Sequence, residues 1–152
     1  MQNLLSRLFG SPSNQPQQPA LTPAQQEMNT LLETAATALE QGYHQTALET
    51  YQRGLTLAQT LDDRANEEHF LSGIGAVHVA QNDFEAARPV FERALELARA
   101  INDRRALARA LNNIGSLHAK QQEWGVAQTS HPQALDAARE TGDAEIIALA
   151  LE

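Results

Sequence analysis

The stretch Leu71-Ser72-Gly73-Ile74-Gly75-Ala76-Val77-His78 returns as Leu111-Asn112-Asn113-Ile114-Gly115-Ser116-Leu117-His118, with Leu, Ile, Gly and His each displaced by forty residues. The residues C-terminal to it repeat as well: Ala87-x3-Phe91-x2-Ala94-Leu95 comes back as Ala127-x3-His131-x2-Ala134-Leu135. An earlier copy carries Leu31, Ala35, Ala47, Tyr51, Gly54 and Leu55 at the same offsets, and Leu151 stands where a fourth copy would begin. Asp63, Asp103 and Asp143 mark the joins. A fixed period of this size belongs to arrays in which one unit cannot bury its own apolar face and must stack on the next.

Composition narrows the element type. The chain has 152 residues, its apolar share is dominated by Ala and Leu, and aromatics make up 5%. With few β-branched runs, helix is favoured over strand throughout, so an all-α domain is expected. Eleven Lys and Arg against 19 Asp and Glu leave a net charge of -8, which argues against nucleic acid as a partner because phosphate binding depends on cations. No cysteine is present, so disulfides and thiolate metal sites are excluded. No apolar run approaches the roughly 20 residues that cross a bilayer, and a cytoplasmic location is the expectation.

Met1, Leu4, Leu5 and Leu8 share a helical face beside Phe9, and from Gly10 to Leu21 a linker with Pro12, Pro16 and Pro19 has almost nothing to bury. The division expected is therefore 1–22 as amphipathic segment and Pro/Gln-rich linker, then 23–152 as repeat domain. Thr22, Pro23 and Gln25 have the spacing of a capped helix start. Seven helices are expected: 23–41, 44–61, 64–81, 84–101, 104–121, 124–141 and 144 onward. Short turns at Gly42, Asp62-Asp63, Asn82-Asp83, Asn102-Asp103, Gln122-Glu123 and Gly142-Asp143 separate them, forcing antiparallel pairs.

The pattern of small residues (Gly75, Gly115, Ala87, Ala127) among Leu, Ile and Phe resembles the tetratricopeptide repeat, in a long variant of the kind found in kinesin light chains and bacterial signalling regulators. The usual unit has thirty-four residues, and Leu57, Ala58 and Leu61 and their counterparts Leu97, Ala98 and Ile101 extend the second helix here. The resemblance implies an all-α, right-handed superhelical array of antiparallel helix pairs: repeats at about 23–62, 63–102 and 103–142 and a partial fourth at 143–152. It implies no enzyme and no cofactor, but a noncatalytic scaffold or adaptor that holds a peptide or protein segment in the groove made by the first helix of each pair.

Carried onto this chain, the groove takes Asn29, Leu32 and Ala36, then His69, Ser72, Ala76 and Val79, then Arg109, Asn112, Asn113, Ser116, Ala119 and Lys120. His69, Ser72, Arg109, Asn112, Asn113, Ser116 and Lys120 are its polar candidates, donors suited to a peptide backbone or carboxylate. The clamp by which chaperone-binding relatives hold acidic C-termini is excluded, since Leu32, Ala36 and Gly73 occupy the matching places.

Other constellations are packing. His78 and His118 recur at a position between helices, and no carboxylate recurs to complete a metal site. Glu67, Glu68 and His69 are consecutive on a helix and point to different faces. Pro89 and Pro132 fall inside second helices, where a kink or late start is expected, and the helix around Ser130 should be the weakest. Ile146, Ile147, Leu149 and Leu151 make the last segment apolar nearly all round, as expected of a longer array's continuation or a homodimer surface. Tethering through the N-terminal segment is the alternative function, although one Arg in ten residues gives weak membrane contact.

Overall fold

Every twenty residues the backbone steps into left-handed conformation: Gly42 at φ 78°, Asp62 at 51°, Asn82 at 60° and Asn102 at 54°. Only Gly takes this without a Cβ penalty, and Asn and Asp tolerate it best among the rest, so each of these residues ends a helix. The computed structural model describes residues 20–121 together with Pro132, Gln133, Leu135, Asp136 and Arg139. Between these stops run α1 (Pro23–Glu40), α2 (His44–Thr60), α3 (Arg64–Ala80), α4 (Phe84–Ala100) and α5 (Arg104–Lys120), with no strand among the described residues. The expectations for Met1, Leu4, Leu5 and Leu8, for Ser130, and for Ile146, Ile147, Leu149 and Leu151 lie outside the described residues.

Caps set the starts. Thr22 Oγ1 accepts from the Gln25 backbone N–H at 3.2 Å while Gln25 Oε1 accepts from the Thr22 backbone N–H at 2.9 Å, closing the expected box. Asp63 accepts from Asn66 N–H at 3.0 Å, Asp83 from Ala86 N–H at 3.1 Å, and Asp103 from Arg105 N–H at 2.8 Å. Among these five helices only α2 starts on a residue with no cap: Tyr43, 62% exposed, makes no side-chain bond to the first turn. Tyr43→Asp should therefore raise stability by about 1 kcal/mol, read as a shift of the urea midpoint, and no gain would mean that water already serves those N–H groups equally well.

Each helix packs on its sequence neighbours, and α3 is gripped by four others. Phe70, Ile74 and Val77 of α3 join Met28, Leu31, Ala35, Ala47, Tyr51 and Ala58 in one cluster spanning α1 to α3. Ala87, Phe91 and Leu117 form another between α4 and α5. Glycines make these joints, although not by bringing backbones together. A Cβ on Gly54 would fall inside the Phe70 ring, one on Gly73 inside Tyr51, and one on Gly75 inside Phe91. The small residue is a socket for an aromatic ring from the neighbouring helix.

The first helices touch each other, α1 on α3 and α3 on α5, whereas α2 and α4 do not meet. The layer of closest approach is the inside of the curve, so α1, α3 and α5 line a concave face and α2 and α4 the convex one. This is the all-α repeat solenoid that the sequence implied.

One feature departs from the expectations, and a second goes beyond them. α4 runs unbroken through Pro89, which sits on the exposed side, so the missing hydrogen bond falls where water reaches the freed carbonyl. The other concerns α1, which carries Thr30, Thr34 and Thr37 at the places of Phe70, Ile74 and Val77, the residues with which α3 packs on α2. All three are exposed, and Thr30 and Thr37 donate their hydroxyls to carbonyls one turn back, at 2.9 and 2.8 Å. Thr34 and Thr37 line a shallow cleft with Glu33, Ala38, Gln41, Tyr43 and Thr46. This face of α1 keeps the shape of a stacking surface but is built for water.

Candidate functional site

Because the copies repeat every forty residues, equivalent side chains stand in rows across the concave face. One row is Asn29, His69 and Arg109; a second is Ala36, Ala76 and Ser116; a third is Glu40, Ala80 and Lys120; in a fourth, Glu33, Gly73 and Asn113, the middle position is filled by the Tyr51 ring. None of these twelve residues is buried. Of the residues expected in the groove, His69, Arg109, Asn113, Ser116 and Lys120 reach this surface. Ser72 does not: it is 5% exposed and turned inward.

The reason for Ser72's orientation is Glu68, a carboxylate with no exposed surface, at a position where the first copy has Met28 and the third Ala108. Ser72 Oγ donates to Glu68 Oε1 at 2.9 Å, and Arg109 Nη2 donates to Glu68 Oε2. The second and third copies are thus joined by a buried ion pair. Burial pushes the Glu68 carboxyl above its ordinary range, and the Arg109 charge and the bonds from Arg109 and Ser72 pull against that. On sequence alone Arg109 is an open donor. In the fold it is a clamp between repeats with 31% of its side chain exposed, and its Nε is shielded and without a partner. Asn112 Oδ1 and His78 Nδ1 are likewise shielded and unpaired.

His69 lies beside this pair. Its ring is open to solvent on one side, yet it stands in a concavity whose walls thin out its hydration, and the Arg109 guanidinium adds repulsion. The two effects lower its pKa to about 4. The folded chain then binds fewer protons here than the unfolded chain between about pH 6.5 and 4. The stability His69 contributes is complete above that window and is lost as pH falls through it. Discounted for exposure, the loss should be on the order of 1 kcal/mol. Denaturant midpoints at pH 7 and 5 for the native chain and for His69→Asn measure it; an equal drop in both would clear His69 of any part.

Charge is unevenly laid along the face. α1 carries Glu27, Glu33 and Glu40 and no Lys or Arg, whereas α5 carries Arg104, Arg105, Arg109 and Lys120 and no Asp or Glu. Glu27 is occupied by Arg53 of α2 at 3.0 Å. Glu40 lies near enough to Tyr51 to add to the rise that burial imposes on its phenol. Tyr51 in turn rests on Gly73 of α3. Among the described residues no three His, Asp or Glu side chains converge to hold a metal, and no helix is long and apolar enough to cross a membrane.

A tetratricopeptide-repeat family model matches residues 26–100. The TPR domain of Arabidopsis FLU, a crystal structure, superposes with a TM-score of 0.68 at 22% sequence identity, covering 80% of this chain and 100% of that one. No curated protein sequence gives a significant match. Repeats of this family generally mediate protein–protein interaction and are typically noncatalytic.

Proposed function

Since the chain belongs to the tetratricopeptide-repeat family, we propose that it is a noncatalytic scaffold or adaptor, holding a segment of another protein against α1, α3 and α5. The observation that carries this reading is the row structure of the concave face. Twelve equivalent positions on three helices keep exposed surface, although Gly73 seats Tyr51 and Arg109 pairs with Glu68, and those on α5 are Arg109, Asn113, Ser116 and Lys120, side chains that can donate to a carbonyl or carboxylate. Arg109 is held in place by Glu68, so its charge is presented from a fixed position.

The same pair dictates how the reading is tested. Arg109 cannot be removed without stranding Glu68, so the variant should combine Asn113→Ala, Ser116→Ala and Lys120→Ala, whose side chains have no role in the described core clusters. Crosslinking from extract with this variant is expected to lose or weaken the partners captured by the native chain. If the captured set is unchanged while circular dichroism shows a native fold, the concave face is not the binding surface.

A further inference from the structure

We infer that the segment the concave face receives is bipolar and extended, with its basic end over α1 and its acidic end over α5. This rests on the groove reading above and adds the chemistry and direction of the occupant. Two rows change in the same sense from the first copy to the third: Asn29, His69, Arg109; and Glu40, Ala80, Lys120. One of these positions loses a carboxylate and both gain a cation, of which Arg109 is already paired with Glu68 and Lys120 carries the exposed charge. In a chain of net charge -8, α5 is a basic helix standing opposite an acidic one.

The middle of the face is uncharged. Gly73, Ala76 and Ala80 have no ionisable group, and the low pKa of His69, about 4, leaves its imidazole neutral at physiological pH. Glu68, the one carboxylate of α3 beneath this surface, has no exposure and is matched by Arg109. Two packed helix spacings of about 8–10 Å separate α1 from α5. That distance of roughly 20 Å exceeds the Debye length of about 8 Å at physiological salt, so the two ends do not cancel each other, and each selects its own counter-charge. An extended peptide covers it in about six residues. Extended backbone also suits the wall, because Asn29, Asn113 and Ser116 offer amide and hydroxyl groups that a helical occupant, with its backbone already paired, would leave unused.

The probe is a synthetic peptide with two lysines at one end and two glutamates at the other, separated by about six Ser and Ala residues. It is titrated into the full chain while amide chemical shifts are followed by NMR. A peptide of the same composition with alternating charges and an all-glutamate peptide serve as comparisons.

The bipolar peptide should bind at least tenfold more tightly than the alternating one. A paramagnetic tag on its lysine end should broaden α1 amides, and a tag on its glutamate end α5 amides. Glu33→Lys with Glu40→Lys should abolish that preference and favour the all-glutamate peptide, and Ala80→Trp, at an exposed mid-groove position, should weaken all three peptides. Equal affinities for the three, or broadening that ignores the tag's position, overturns the bipolar assignment while leaving the groove reading intact. If Ala80→Trp has no effect, or the shifts map away from α1, α3 and α5, the groove reading falls and this inference with it. Absence of any shift at millimolar peptide also overturns the inference.

Discussion

Arg109→Ala is expected to cost about 3 kcal/mol at pH 7, whereas Glu68→Met costs less than about 1 kcal/mol. The asymmetry comes from what each change leaves behind. Without Arg109, a carboxylate with no exposed surface keeps only the Ser72 hydroxyl. Without Glu68, Arg109 retains a side chain 31% exposed and can turn to water. Methionine is moreover what the first copy holds at this position, where Met28 is 1% exposed. The double variant should be close to Glu68→Met alone, giving a coupling of about 3 kcal/mol, the whole cost of Arg109→Ala.

Acid provides a second signature. Burial already raises the Glu68 pKa, so the folded state holds that proton more tightly than the unfolded state does. Ionised Glu68 therefore opposes folding increasingly as pH rises through its folded-state value, and the Arg109→Ala penalty should shrink on acidification. Urea denaturation of the four chains at pH 7 and pH 5 decides the matter. Equal costs for the two single variants would show that the pair contributes as an ordinary surface contact.

Gly54→Ala should lower stability by about 2 kcal/mol, although alanine is the better helix former by about 1 kcal/mol. The new methyl would fall inside the Phe70 ring, which has no exposure and no open side to swing toward. Overpacking of this severity costs about 3 kcal/mol, which outweighs the propensity gain. Phe70→Leu introduced into Gly54→Ala should recover part of the loss, a result that backbone strain could not produce. Gly42 provides the contrast: nothing lies within 4 Å of its Cβ position, so Gly42→Ala loses only what a φ of 78° costs, about 1 kcal/mol. A neutral Gly54→Ala would contradict the socket.

The parts of this fold that act over short distances are legible in the chain. Thr22 with Gln25, and Asp63 and Asp103 ahead of their helices, act within three residues of themselves, so their roles follow from spacing. The forty-residue return of Leu, Ile and Gly reveals the stacking because neighbouring units must present the same faces. The Glu68–Arg109 pair is hidden, since its members are 41 residues apart and Glu68 sits in a run, Glu67-Glu68-His69, that looks like a solvated face. Its signal lies in the column: Met28, Glu68 and Ala108 put a charge between two apolar residues. The glycines are recognisable as packing residues, but whether backbone or ring fills the space depends on where Phe70, Tyr51 and Phe91 project. That is decided by the assembled helices. Pro89 leaves α4 undisturbed because its missing bond faces water, an orientation that sequence does not show.

The threonines of α1 decide what can lie against that helix. An incoming apolar layer would have to strip water from Thr30, Thr34 and Thr37, and the hydroxyls of Thr30 and Thr37 bond only carbonyls of their own helix. Packing in the manner that α3 uses on α2 is thereby opposed on this face, and a neighbour that covers it must bring polar groups of its own.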